Sequence, residues 1–195
     1  MYHRMLLEQT LMKKIFKIYW PLAALLWMAV LALAVGVLPA RAGHVAAVPS
    51  DAEKRQIIET MYVDYQKTFP EIPDMDPRPA MKQVKKRKMV FIDVRESKEQ
   101  QVSMLPEAIT VKAYLENPDK YKDHVKIAYC TIAYRSGKFA QKLKDRGITI
   151  INLRGGILAW IHDGGKVYSE HGQTNRIHVF GRKWDLAPKE YEAVW

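Results

Sequence analysis

Hydrophobic positions along this chain follow three successive patterns. Residues 18–40 carry no charge, and the run WPLAALLWMAVLALAVGVLP stands behind the basic Lys13, Lys14 and Lys17. About 20 apolar residues at 1.5 Å each match the ~30 Å of bilayer hydrocarbon, so this stretch predicts an export signal or a membrane-spanning helix. From Ser50 the pattern turns amphipathic. Ile57, Ile58, Met61, Tyr65 and Phe69 recur at helical spacing behind Ser50 and Glu53, an N-cap with its capping-box partner, which predicts a helix over 51–67. Four prolines within 70–79 then predict an extended connector. After that, short apolar runs alternate with helical ones. Residues 89–92, 108–111, 125–129 and 148–153 read as strands, and 136–147 as a helix with Phe139, Ala140 and Leu143 on one face and Gly147 as its stop. This alternation predicts an α/β domain, with a parallel sheet covered by helices on both faces. Past 165, residues 177–180 and 183–186 about Gly181 read as a short hairpin appendage, with His178 and Trp184 as aromatic packing groups.

The leader refines this division. LPARAG ends the apolar run, and Ala40-Arg41-Ala42 has the small-x-small form of a cleavage site. A signal peptide cut after Ala42 is therefore preferred over an uncleaved anchor. Both place the rest of the chain outside the cytoplasm, in the periplasm or held at the cytoplasmic membrane facing outward, and the membrane is a partner only if the segment is retained. The expected organisation is 1–42 signal or anchor, 43–79 helix and Pro-rich connector, 80–165 α/β domain, and 166–195 appendage.

The 195 residues carry a formal charge of +10, but the first 42 hold five basic residues against one acidic, leaving 26 basic and 20 acidic beyond them. The densest basic cluster runs from Lys82 to Lys88 without an interleaved aromatic. It reads as a solvated helix end guarding the apolar strand that follows, and no nucleic-acid partner is expected. Six histidines at unpaired spacing predict no metal site, and a single cysteine excludes an intramolecular disulfide.

That cysteine, Cys130, stands in YCTIAYRSG immediately past the third predicted strand, and Ser136 or Gly137 is expected to open the next helix. Open α/β sheets bind ligands at such strand ends. Loop amides and a helix N-terminus favour negative charge there, thiolate included, and the planar fork of Arg135 suits an oxyanion.

The segments FIDVRE, YCTIAYRS and LKDRGITIINLRGGILAW stand in the order and spacing of rhodanese-like domains, over roughly 80–165. The resemblance implies the three-layer rhodanese-like fold and thiosulfate sulfurtransferase chemistry without a cofactor. Cys130 would carry the sulfur as a persulfide. Arg135 and the backbone amides of Thr131, Ile132, Ala133, Tyr134 and Ser136 would hold the anion, and Asp93 and Arg95 would support the loop from the adjacent strand end. The partners implied are a small sulfur-containing anion such as thiosulfate and a thiol or protein acceptor.

The sequence departs from the family pattern CxxGxRS by placing Ala133 where the glycine stands. If that position needs a positive φ, the methyl costs about 1 kcal/mol. SMLPEA (103–108) replaces the usual GHIPGA, so the pocket wall is expected to differ, while Trp160 reads as core. Two readings stay beside the transferase. A non-catalytic rhodanese-like docking module at the cell envelope is one. A cysteine phosphatase is the other, disfavoured because four residues, Thr131 to Tyr134, separate Cys130 from Arg135 where those enzymes place five.

Overall fold

Ser50 starts the first helix in the way its spacing requires. Its hydroxyl accepts from the Glu53 amide and the Glu53 carboxylate takes the Ser50 amide, closing a capping box on α1 (Asp51–Gln66). The computed structural model describes residues 48–84 and 88–195. The leader, with its signal-or-anchor expectation, and part of the basic cluster lie outside the described residues. Among the described residues no helix is long and apolar enough to cross a membrane.

The helix α1 buries Ile58 and Tyr62, whereas Ile57, expected on the inner face, is 38% exposed. Tyr62 lies four residues from Ile58 and so shares its stripe; Ile57 lies about 100° round the helix. The Pro-rich stretch holds more structure than an extended connector. Asp74–Met75 forms a two-residue strand, β1, and Pro77–Val84 is a helix, α2. Pro77 and Pro79 occupy the first turn, where the missing N–H has no intrahelical partner to lose.

The chain continues through β2 (Met89–Asp93), α3 (Ser97–Val102), β3 (Ile109–Thr110), α4 (Val111–Glu116), β4 (Val125–Tyr129), α5 (Tyr134–Lys144), β5 (Ile151–Leu153) and α6 (Gly156–His162). These strands form one parallel sheet in the order β1-β5-β4-β2-β3. Alternate strand residues supply two cores. Phe91, Ile127 and Tyr129 meet Ile58 of α1 and Trp160 of α6 on one face, while Ile92 and Ala128 meet Tyr114 of α4 and Leu143 of α5 on the other. The expected α/β architecture of a parallel sheet between helices is thus present. Trp160 is core, edge-on to Phe91 at 5.3 Å, with its indole N–H on the Lys166 carbonyl.

Two elements are shorter than expected. Val111 leaves the second predicted strand to open α4, capped by the Thr110 hydroxyl. The fourth strand begins only at Ile151, because α5 ends in a Schellman turn. There Gly147, at φ 78, donates to Lys144 and Ile148 donates back to Leu143, so 148–150 are taken up in leaving the helix.

The predicted C-terminal hairpin does not form where it was expected. Gly181 is extended, Phe180 takes the left-handed turn at φ 71, and Arg182–Trp184 coil into a 3-10 turn, so 177–180 and 183–186 never pair. Instead β6 (Val167–Ser169) and β7 (Gly172–Thr174) make an antiparallel hairpin, and β8 (Arg176–His178) pairs in parallel with β9 (Glu192–Val194). Ile177, Val179, Leu186 and Ala187 join the first core.

Candidate functional site

β2 and β4 are neighbours whose connections leave in opposite directions across the sheet, and the crevice beyond their C-terminal ends is the ligand position of open α/β folds. Cys130 follows β4 there, 2% exposed rather than freely accessible, in the wall of a pocket of about 180 Å³.

The loop after Cys130 is fixed through its carbonyls. Ile157 and Leu158 of α6 donate to the carbonyls of Cys130 (2.9 Å) and Thr131 (3.3 Å), and the carbonyl of Ala133 accepts from Gly137 and from Nδ2 of Asn152 (3.0 Å). Gly156, at φ 61, allows that approach. A methyl on it would strike the Cys130 carbonyl oxygen and lie 2.7 Å from that of Thr131. Gly156, the first residue of α6, is therefore part of the site's construction. Among the described residues, none of the amides 131–136 makes a hydrogen bond. Ala133 is left-handed at φ 79 and ψ −1, which meets the condition under which its methyl strains the loop. α5 consequently opens at Tyr134, earlier than the expected Ser136 or Gly137, because Ala133 already turns the chain.

Arg135 reaches the pocket but its fork is taken. Nη1 and Nη2 donate to the two carboxylate oxygens of Glu99 at 2.6 and 2.7 Å, and Nη2 also reaches the Thr131 hydroxyl at 3.1 Å. Glu99 lies fully buried on α3 and also receives its own capping bond from the Glu96 amide. Burial pushes the Glu99 pKa up, but the Arg135 and Glu96 hydrogen bonds outweigh it and hold the carboxyl below its usual range. Burial likewise opposes the Arg135 charge, and Glu99 with the charge of a Cys130 thiolate outweighs that and raises its pKa. A buried carboxylate thus lies within reach of the fork that the family resemblance assigns to an anion.

Asp93 ends β2 and Arg95 follows it two residues on. They form an ion pair with both side chains fully buried, at 2.7 and 3.0 Å. Tyr129, the residue before Cys130, donates its hydroxyl to Asp93 at 2.6 Å and accepts the Leu105 amide. Burial first, and then the Asp93 charge, raise the Tyr129 pKa well above normal, so its proton stays in this bond. Arg95 also donates to the Ser103 carbonyl. The segment 103–108 is thereby a brace for the strand end, and no residue of it lines the pocket.

The pocket wall comes from elsewhere. Cys130, Thr131, Ile132, Tyr134 and Arg135 form one side, and Tyr65 of α1 with Phe180 and Trp184 of the C-terminal segment form the other. Ser136 is fully buried with its hydroxyl unpartnered, and neither it nor Ala133 lines the pocket. Tyr65 packs on Tyr134 at 5.2 Å, and the Arg135 guanidinium lies 5.1 Å over the Phe180 ring. His178 accepts the Phe180 amide on Nδ1 at 3.0 Å, holding that turn. The appendage expected only to pack therefore also faces the cysteine. Glu99, Asn152 and Phe180 were not singled out by the sequence as site residues, and Tyr65 was read only as part of the apolar stripe of the first helix. No group of three or more His, Cys, Asp or Glu suited to a metal occurs among the described residues.

The sequence profile of the rhodanese-like domain matches residues 76–163. A Bacillus subtilis (strain 168) protein named "Putative sulfurtransferase YtwF" is 32% identical over 77 residues, which are 37% of this chain and 73% of that protein. Among solved structures, the BH2092 protein of Bacillus halodurans aligns over 58% of this chain and 87% of its own, at 22% identity and TM-score 0.43. The thiosulfate sulfurtransferase of Pseudomonas aeruginosa aligns over 64% of this chain and 24% of its own, at 20% identity and TM-score 0.47.

Proposed function

The chain belongs to the rhodanese-like domain family, and from that premise we propose that it is a sulfurtransferase carrying sulfane sulfur as a persulfide on Cys130. The observation that carries the reading is the loop itself. Its carbonyls at Cys130, Thr131 and Ala133 are tied to α6, Gly137 and Asn152, while its amides 131–136 have no partner among the described residues and stand beside the only cysteine of the sequence. Such a run of amides stabilises a thiolate, and the anionic sulfur of a persulfide after it.

With thiosulfate as donor, the Cys130 thiolate attacks the outer sulfur. The S–S bond breaks, sulfite leaves with the electron pair, and Cys130 holds a persulfide. An acceptor thiolate or cyanide then attacks the terminal sulfur and the Cys130 thiolate is restored. The buried Glu99 holds Arg135 and the Thr131 hydroxyl in the pocket wall they share with Cys130, and Asp93 holds Tyr129, the residue before Cys130. Residues after 42 would act outside the cytoplasm, as the leader pattern suggests.

The test is intact-mass spectrometry after incubation with thiosulfate, together with sulfite release in the presence of cyanide. Wild type should gain the mass of one sulfur atom and turn over. Cys130→Ser should do neither while keeping its fold, since a hydroxyl cannot carry sulfane sulfur. Absence of loading from thiosulfate, organic thiosulfonates and persulfides alike would leave a docking module at the cell envelope as the function.

A further inference from the structure

We infer that the Cys130 pocket takes an organic sulfur compound with an apolar body about the size of one aromatic ring, in preference to an inorganic oxyanion, and that Tyr65, Phe180 and Trp184 set this preference. The chemistry of transfer rests on the sulfurtransferase reading; the shape and polarity of the pocket do not.

Three observations carry the inference. The first is where the wall comes from. The rhodanese-like match ends at residue 163 and begins at 76, yet Tyr65 precedes it and Phe180 and Trp184 follow it. Segments outside the matched span thus supply three of the eight lining residues, and all three are aromatic. The second is its lining and size. Four aromatic side chains and Ile132 surround about 180 Å³, and a dry cavity of ~150 Å³ is enough to hold benzene. The third is charge. Arg135 is the lining cation, and the carboxylate of Glu99 already holds it through both terminal nitrogens. A dianion such as thiosulfate would enter an apolar mouth with no unmatched positive side chain in its lining. An organic donor needs only the loop amides for its one anionic sulfur and gives its body to the aromatic walls.

Benzenethiosulfonate and methanethiosulfonate test this, because they share the reacting group and differ in the body. In each the Cys130 thiolate attacks the terminal sulfur, its bond to the sulfonyl sulfur breaks, and the sulfinate leaves with the electron pair, so persulfide forms without an added oxidant. Full-length protein would be assayed for sulfinate release with cyanide as acceptor, and both probes titrated calorimetrically into Cys130→Ser. We expect benzenethiosulfonate to exceed methanethiosulfonate by roughly ten-fold or more in kcat/KM and in affinity, the discrimination an apolar pocket gives for a few carbons. Phe180→Ala and Trp184→Ala should each reduce that ratio toward one while thermal unfolding shows an intact fold. Trp184→Phe should retain most of it.

Equal rates and affinities for the two probes, or a ratio that Phe180→Ala and Trp184→Ala leave unchanged, would overturn the inference. Preferential binding of the aryl probe to Cys130→Ser with no sulfur moved by wild type would keep the inference and remove the transferase reading.

Discussion

Glu99 holds Arg135 through two hydrogen bonds, of 2.6 and 2.7 Å, from a carboxylate with no solvent exposure. The pair spans α3 and α5, so it joins the strand end that carries Asp93 to the loop that carries Cys130. Arg135→Ala would leave the Glu99 charge buried and unmatched, and we expect it to destabilise the fold by about 3 kcal/mol in chemical denaturation. Arg135→Lys should recover only part of this, because an ammonium cannot meet both oxygens in the plane of the fork. In Glu99→Gln/Arg135→Ala the loss should be smaller than the sum of the single losses, since no buried charge is stranded. Strict additivity in that cycle would mean that the pair contributes nothing of its own.

Gly156 makes the second prediction. Its positive φ costs any other residue about 1–2 kcal/mol. Its methyl would also press on the carbonyls of Cys130 and Thr131, where overpacking against fixed backbone costs a further ~1–3 kcal/mol. Gly156→Ala should therefore lower stability by a few kcal/mol and slow persulfide loading, as read by thermal unfolding and by mass. Gly164→Ala, also at positive φ but with nothing near its missing Cβ, should lower stability by less and leave loading unchanged.

The sequence carried the sheet and the cysteine loop because both are local. Residues 127–129 form a buried apolar run next to Cys130, and the Ser50–Glu53 box lies within one helical turn. The far wall of the pocket was not legible for the opposite reason. Phe180 stands far along the chain from Cys130, and no periodicity within 166–195 specifies that the two line one pocket. Glu99 was hidden in the same way. A glutamate in SKEQQ looks like a solvated helix position until α5 delivers a guanidinium above it. The prolines at 77 and 79 misled by count, because their effect depends on falling in a first turn rather than on their number.

Ala133 stands at φ 79, where the left-handed strain of about 1–2 kcal/mol is only partly offset by the ~0.4–1 kcal/mol of unfolded-state entropy that a glycine would add. Ala133→Gly should thus be neutral to stabilising, by up to about 1 kcal/mol, in equilibrium denaturation. Ala133→Val should be destabilising by more than the alanine strain alone, since a β-branched side chain tolerates this region poorly. A clear loss of stability in Ala133→Gly would show that the methyl's packing outweighs its strain.

His178 links the pocket to pH. Its Nδ1 accepts the Phe180 amide at 3.0 Å, which requires the neutral ring in its Nε2–H tautomer, because a protonated Nδ1 would face another donor. Burial lowers its pKa from the ordinary 6.5. The nearby Glu99 charge pulls the other way, and Lys98, Arg95 and Arg135 add to the lowering. With the folded value below the unfolded one, the unfolded chain binds more protons in the window between them, so stability is fully present above about pH 6.5 and falls as pH drops through the folded value. Phe180 should loosen over the same interval, since its amide loses its acceptor. Measured by urea denaturation from pH 7 to pH 5, wild type should lose stability that His178→Leu does not, and the gap between the two proteins should narrow steadily toward pH 5. Comparing the two cancels the titration of the other histidines. A gap that stays constant across the interval would place the His178 proton outside the turn that holds Phe180.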